Sequence, residues 1–213
     1  MKIVKYLLSM ILFTFVCSSC EYNAKRDLIK NYTSKLYEIN SLYEYVNNLT
    51  SDSVYFDIEF LNDRKISYFF VSIKRIDPRT GISYTTNIVA DGDYNSNYMS
   101  NRNLDFNSQN LENLLKIVGW SKNDLKTLKK KLDKANCISV RSGEFTKIGN
   151  FENANPMTIG YKRVFLGMYS YKIFTQELSE NLINQYNDGC TYVFFQDNIV
   201  FEYKGGATGK QCF

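Results

Sequence analysis

Residues 189–213 read GCTYVFFQDNIVFEYKGGATGKQCF, and this segment carries the clearest structural pattern in the chain. Two apolar runs, 191–196 and 199–204, flank the dipeptide Asp197-Asn198. Aspartate and asparagine tolerate the left-handed backbone that a two-residue hairpin turn requires. The pattern therefore predicts a β-hairpin at the C-terminal end.

Two cysteines bracket this hairpin. Cys190 precedes the first apolar run, and Cys212 follows a glycine-rich segment, 205–209, that can bring it back. We predict a disulfide between them, which closes a loop of about 22 residues and contributes roughly 3 kcal/mol of stability in the chain-entropy view. Cys137 opens an apolar run and is expected to be a buried free thiol. The alternatives are bridges through Cys137, or three free thiols.

Residues 1–19 predict a signal peptide, because Lys2 and Lys5 precede an apolar run, 6–16, and a small-residue processing site. The apolar run is shorter than the roughly 20 residues of a membrane-spanning helix. The ending Ser18-Ser19-Cys20 resembles the processing site of bacterial lipoproteins, most closely those of Bacteroidota. We predict acylation of Cys20, with residues 20–24 as lipid anchor and short tether. The alternatives are modification of Cys17, a plain secretory signal and an uncleaved anchor.

These features predict a protein of the bacterial cell envelope, held by lipid in the outer membrane and facing the periplasm. Glu21 is the only acidic residue among residues 21–26, so no clear acidic export signal is present, and surface exposure is the alternative. Cleavage after residue 19 removes two of the 26 basic residues and leaves 24 against 22 acidic ones. This near-neutral balance gives no support to nucleic-acid binding, which needs a strong basic excess.

The mature chain, residues 25–213 after the anchor, is predicted to be a single α+β domain. An apolar stripe from residue 24 to residue 50 predicts one long N-terminal helix. The expected fold is an antiparallel β-sheet with this long helix and two or three further helices packed on it. A short helix is also expected at 178–186.

Two helices are predicted in the middle of the chain. Ser108 is a candidate cap for the first, which ends near Gly119, and Ser121 with Asp124 begins the second, through Ala135. The second helix carries the main basic cluster of the chain, which consists of Lys122, Lys126, Lys129, Lys130, Lys131 and Lys134. A solvated face is the usual meaning of such a cluster, and contact with anionic lipid is the alternative.

Alternating apolar residues predict an antiparallel meander of strands over 54–60, 66–76 and 82–89. Asp57 and Glu59 share the outward face of the first strand, where we expect them to be solvated. Paired carboxylates could also act as acid and base in glycoside cleavage, but that alternative is weaker. Further strands are predicted at 137–141, 145–148, 161–166 and 169–174.

No residue qualifies as catalytic, cofactor-binding or metal-binding. The chain contains no histidine, which removes the usual general base, the serine triad and most zinc sites. The segment 91–97 has the alternating oxygens of a calcium loop, but Ser96 replaces the required glycine and Arg102 the required glutamate. The glycine-rich tail differs from a nucleotide loop because Gly209-Lys210 is followed by Gln211. We therefore expect no enzyme activity and no cofactor.

The last quarter of the chain resembles a group of uncharacterised bacterial lipoproteins. The resemblance lies in Tyr161-Lys162-Arg163, in 167–171 and 186–188, in the two hairpin runs and in 205–213. It implies a shared terminal fold and brings no functional residue with it. Lys210 stands where proline is expected in other members.

The expected function is that of a membrane-tethered, non-catalytic lipoprotein that binds a protein partner, as an immunity-type inhibitor does. Seventeen tyrosines and fifteen phenylalanines support a recognition surface, because tyrosine offers a large contact area together with a polar tip. Aromatic residues also fill sheet cores, which accounts for many of them. The alternative is a glycan-handling or structural envelope lipoprotein in which exposed tyrosines stack on sugar rings.

Overall fold

The computed structural model describes residues 24–51, 53–81, 83–88, 101–143, 156–164, 167–205 and 212–213. The predicted signal peptide at 1–19, the predicted acylation site Cys20, the segment 91–97, the predicted strand at 145–148 and most of the glycine-rich tail lie outside these ranges.

The N-terminal part is helical, but the prediction of one uninterrupted helix is wrong. Helix α1 covers 24–34 and helix α2 covers Leu36–Leu49, with Lys35 between them at φ −120° and ψ 19°. The hydroxyls of Thr33 and Ser34 donate to the carbonyls of Ile29 and Asn31, at 2.8 and 3.2 Å. Such back-bonding by β-hydroxyls bends helices, which explains why the break falls here.

The two middle helices begin as predicted. Helix α3 covers Gln109–Val118, and the Ser108 hydroxyl accepts from the backbone N–H of Leu111. Helix α4 covers Lys122–Lys134 and opens with a capping box between Ser121 and Asp124. The reciprocal bonds of a capping box satisfy two N–H groups that lack a partner inside the helix. Gly119 ends α3 in the left-handed conformation.

All β-strands in the described ranges belong to one nine-stranded sheet in which every pairing is antiparallel. The main order is β3-β2-β1-β5-β6-β7-β9-β8, and β4 pairs with β2. The bounds are β1 Val54–Phe60, β2 Lys65–Ile76, β3 Ser83–Ile88, β4 Arg102–Asp105, β5 Ser139–Arg141, β6 Met157–Val164, β7 Gly167–Ile173, β8 Tyr192–Gln196 and β9 Ile199–Lys204. The predicted meander is β1, β2 and β3, and the predicted hairpin is β8 and β9.

One face of the sheet forms the main core with the helices. Phe56 and Ile58 of β1 and Tyr171 of β7 are fully buried in one cluster with residues of α1 to α4. Asn31 of α1 links the helices to the sheet through this core. Its amide donates to the carbonyl of Ala135 and to the Tyr171 hydroxyl, at 3.2 and 3.0 Å. The fold is thus a mixture of helices with a large antiparallel sheet, and the sheet dominates.

A second, smaller apolar cluster lies around the C-terminal strands. Phe174, Leu178 and Val200 are buried there, and partly buried side chains of helix α5, Glu180–Gln185, pack on them. Strand alternation places Val200 on the face opposite Phe201, which belongs to the main core. Helix α5 therefore covers one end of the second sheet face.

The predicted disulfide is present. Cys190 and Cys212 are bonded, with Cα atoms 4.0 Å apart, and Cys137 is a buried free thiol. Asp197 in the hairpin turn has φ 47°, the left-handed conformation that the sequence predicts. The Asn198 amide donates to the carbonyl of Phe174 at 2.6 Å, which ties the turn to the end of β7.

Candidate functional site: a polar cavity on the sheet

The second face of the sheet carries a row of polar side chains across its central strands. Asp57 of β1 lies opposite Arg141 of β5, Arg141 opposite Thr158 of β6, and Thr158 opposite Lys172 of β7. These residues line or adjoin a cavity of about 180 Å³, which also reaches Lys204 of β9. We refer to it as the polar cavity.

The structure corrects the expectation that Asp57 and Glu59 are solvated. They are only 9% and 6% exposed. Arg141 compensates Asp57, with Nε and Nη2 at 2.8 and 2.6 Å from Oδ2. Arg163 binds Glu59 in a bidentate manner, with Nε at 3.0 Å from Oε1 and a second bond from Nη2 to Oε2. Buried carboxylates are stable when they are paired in this way.

A β-bulge places Arg163 on this face. Gly160 pairs with Ser170, but Lys162 rather than Tyr161 pairs with Tyr169, so β6 gains one residue. A one-residue shift exchanges the two faces of a strand. Plain alternation would have put Lys162 beside the cavity, whereas the bulge brings Arg163 to it.

A third ion pair lies in the same face. Lys172 Nζ is 3.7 Å from Glu202 Oε1, and Lys172 is only 1% exposed. Its ammonium group also lies over the rings of Tyr186 and Tyr192, at 5.6 and 5.8 Å from their centroids. These aromatic faces stabilise the cation where water is excluded.

Burial governs the titration of the side chains around the cavity. It raises the pKa of Asp57, although Arg141 opposes this effect. Burial and the nearby charge of Asp57 raise the pKa of Tyr68, so this phenol stays protonated and can donate a hydrogen bond. Lys204 is exposed as a residue, but partial burial of its side chain at the cavity, together with the neighbouring Arg141, lowers its pKa. Close cations disfavour each other's charged form, and the cavity concentrates them.

This arrangement suits binding better than acid–base catalysis. A catalytic carboxylate must be able to reach the proton that it transfers. Asp57, Glu59 and Glu202 are instead each held by a cation. Within the described ranges, no group of three or more acidic or cysteine side chains could hold a metal ion.

Sequence reasoning did not identify Arg141, Arg163, Lys172 and Glu202. One signal was available, because Lys172 and Glu202 each stand within an apolar strand, in GMYSYKI and IVFEYK. A charged residue inside such a strand needs a buried partner. The identity of that partner depends on strand order, which the local pattern does not contain.

The predicted basic cluster on α4 is partly engaged with other residues. Lys129 pairs with Asp133 and Asp63, at 2.6 and 3.2 Å. Lys131 donates to the Ser41 hydroxyl at 2.7 Å, and Lys122 pairs with Glu112 at 2.5 Å. Lys126, Lys130 and Lys134 are exposed. The cluster lies away from the polar cavity, since none of its lysines lines it.

No family model, curated protein or solved structure matches this chain. Among the described residues, no helix combines the length and apolar character needed to cross a membrane. Function is therefore inferred from the chain's own residues.

Proposed function

We propose that this protein is a lipid-anchored, non-catalytic protein of the bacterial envelope that binds a protein partner, as an immunity-type inhibitor does. The anchor is the acylated Cys20, in the outer membrane and on its periplasmic side. Binding needs neither a cofactor nor a catalytic residue. The neutralised carboxylates of the second sheet face support this choice over a hydrolase.

The observation that carries the partner surface is an exposed apolar pair at the start of α2. Tyr37 is 84% exposed, and its neighbour Leu36 is 42% exposed. The same helix buries Ile39, Leu42 and Val46 in the core, so it holds this pair on a rigid support. An exposed tyrosine has only two side-chain torsions to fix, so it loses little entropy on binding and offers a large contact area. We place the centre of the partner surface at Leu36 and Tyr37.

The glycan-handling alternative is not favoured by a comparable observation. Stacking on sugar rings would use several exposed aromatic rings, but Tyr37 is the only exposed one among the twelve tyrosines whose side chains the structure describes. Several others, such as Tyr169, Tyr171 and Tyr203, fill the sheet core. Glycan binding is therefore kept as one outcome of the experiment below.

Site-specific photo-crosslinking tests the partner surface. A benzophenone amino acid at position 37 of the full-length protein in living cells should trap one discrete protein. The same group at Asn47, which is exposed on the same helix, serves as the matched control. The double variant Leu36→Ser/Tyr37→Ser should reduce capture of this partner at least tenfold. Equal labelling from both positions, or a crosslink to polysaccharide alone, would contradict the proposal.

Metabolic labelling tests the anchor separately. Radiolabelled palmitate should enter the wild type and the Cys17→Ala variant but not the Cys20→Ala variant. Label that persists in Cys20→Ala and disappears in Cys17→Ala would move the anchor to Cys17. An inhibitor is further expected to be encoded beside a large polymorphic toxin.

A further inference from the structure

The ion pairs around the polar cavity leave one cation over. Asp57 pairs with Arg141, Glu59 with Arg163, and Glu202 with Lys172. Lys204 is an exposed residue at the cavity wall, and it forms no ion pair within 4.0 Å among the described residues. The carboxylates of Glu202 and Asp57 act on it only from farther away, and Arg141 opposes its charge. The wall therefore has a net positive charge that no protein group in these ranges neutralises by contact.

A buried hydroxyl in the same wall also lacks a partner. Thr158 is only 7% exposed, and its Oγ1 forms no hydrogen bond within the described structure. Leaving a buried polar group unsatisfied destabilises the fold, so native structures rarely do so without a role for the group. The nearby Ser139 hydroxyl donates only to Met168 Sδ at 3.2 Å, and a thioether is a weak acceptor. The hydroxyls of Thr158 and Ser139 thus lack a strong hydrogen-bond acceptor, and both line the same cavity as Lys204.

The size of the cavity limits the ligand to a few heavy atoms. Its volume of about 180 Å³ is below the roughly 300–1,000 Å³ of drug-sized pockets. It is still several times the volume of about 30 Å³ that one water occupies in the liquid. A carboxylate or a phosphate group fits inside this volume, whereas a whole nucleotide or sugar chain would extend beyond it into solvent.

We propose that the polar cavity binds a small oxyanion group, a carboxylate or a phosphate, between Lys204, Arg141 and the Thr158 hydroxyl. An oxyanion accepts from all three donors and neutralises the surplus positive charge. Asp57 and Glu202 also line the cavity, but Arg141 and Lys172 already compensate them. A metal cation is disfavoured by the same surplus charge. This proposal is independent of the partner surface at Leu36 and Tyr37.

Thermal unfolding of the full chain in detergent tests the site, with sodium acetate and sodium phosphate as probes and sodium chloride at matched ionic strength as reference. A ligand that binds only the folded state raises the melting temperature with its concentration in a saturable way. We expect such a rise for acetate, for phosphate or for both. The probe that gives the rise shows whether the cavity prefers a carboxylate or a phosphate group. Lys130→Gln, on the exposed face of α4, should leave the rise unchanged.

Two variants should abolish the rise. Lys204→Gln removes the surplus charge, and Thr158→Val removes the unpaired hydroxyl while keeping the side-chain shape. Thr158→Val is expected to melt at or above the wild-type temperature without anion, because it deletes an unsatisfied buried group. The proposal would be overturned if neither anion raised the melting temperature of the wild type more than chloride does. It would also be overturned if both variants retained the full rise.

Discussion

The carboxylate of Asp57 experiences two opposing effects. Its burial favours the neutral acid, and the contact with Arg141 favours the ionised form. The net direction is a raised pKa, so the folded state holds the proton of Asp57 more tightly than the unfolded chain does. Between the unfolded and the folded pKa, lowering the pH therefore stabilises the fold through this group. Removing Arg141 should raise the folded-state pKa of Asp57 further and so widen this pH range.

The variant Arg141→Met should lower the free energy of unfolding by about 3–5 kcal/mol at pH 7, because it leaves a buried carboxylate without its cation. The loss should shrink as the pH falls from about 7 towards about 4, since Asp57 then becomes protonated. Urea unfolding at several pH values measures both effects. Lys35→Met, which breaks the partly exposed pair with Glu38, is the control and should cost less than about 1 kcal/mol. A loss in Arg141→Met that is independent of pH would contradict this assignment.

Gly167 is required because β7 passes close to an aromatic ring of β9. A Cβ atom at this position would lie 2.6 Å from the Tyr203 ring, which is itself buried and stacked on Tyr169. The ring has little freedom to move away. Gly167→Ala should therefore lower the free energy of unfolding by about 1–3 kcal/mol, as overpacking does.

Chemical unfolding of Gly167→Ala beside Gly81→Asn measures this effect. Gly81 has φ 69°, and a Cβ atom added there would meet no other group within 4 Å. Asparagine tolerates this left-handed conformation better than other side chains do. The Gly81→Asn control should therefore lose much less free energy of unfolding than Gly167→Ala does. Equal losses in the two variants would show that backbone freedom, rather than the Tyr203 ring, decides the effect.

At the scale of elements, strand β8 lies at one end of the sheet order, and side chains from the preceding turn cover its outer edge. The N–H groups of Tyr192 and Phe194 donate to the side chains of Asp188 and Asn187, at 2.9 and 3.1 Å. The N–H of Gly189 donates to the carbonyl of Tyr192 at 3.2 Å. Unpaired edge groups are a template for association with another strand, and this turn blocks them.

The double variant Asn187→Ala/Asp188→Ala should expose these N–H groups. We expect a loss of about 1–3 kcal/mol in the free energy of unfolding, because side-chain acceptors of the edge N–H groups are removed. The freed edge should also promote self-association, which size-exclusion chromatography over a concentration series detects. Asn184→Ala, at an exposed position of α5, is the control. A double variant that stays monomeric and as stable as the control would show that the turn does not protect the edge.

At the scale of the whole molecule, the disulfide joins the end of the chain to the start of the terminal hairpin. Cys190 and Cys212 are 22 positions apart, and the Phe213 ring packs on the buried Tyr169 at 5.6 Å between centroids. The double variant Cys190→Ala/Cys212→Ala should lower the free energy of unfolding by about 3 kcal/mol. Reduction of the wild type should produce the same loss in a urea titration.

Thiol titration provides the control for this prediction. Burial raises the pKa of Cys137, so its thiol should not react in the folded protein. With Cys20 acylated as proposed, the chain should show one reactive thiol after denaturation without reductant and three after reduction. Two or more thiols before reduction would mean that the bridge is incomplete in the purified protein.

The sequence by itself determined the features that depend on near neighbours. The hairpin turn at Asp197-Asn198, the caps at Ser108 and Ser121 and the meander of β1 to β3 follow from backbone preferences and from alternation along a few residues. The break at Lys35 was missed, although the back-bonding Thr33 and Ser34 were visible in the sequence. The apolar stripe of the whole segment outweighed that local signal.

Only the tertiary structure decided the polar cavity. Asp57 and Arg141 are 84 residues apart in the chain, and Glu59 and Arg163 are 104 residues apart. Their meeting depends on the strand order β1-β5-β6 and on the bulge in β6. Alternation tells which residues of a strand share a face, but it does not tell whether that face is covered or which strand lies beside it. Burial and partner choice are properties of the assembled sheet, and for that reason two carboxylates expected in solvent lie buried in ion pairs on the second face of the sheet.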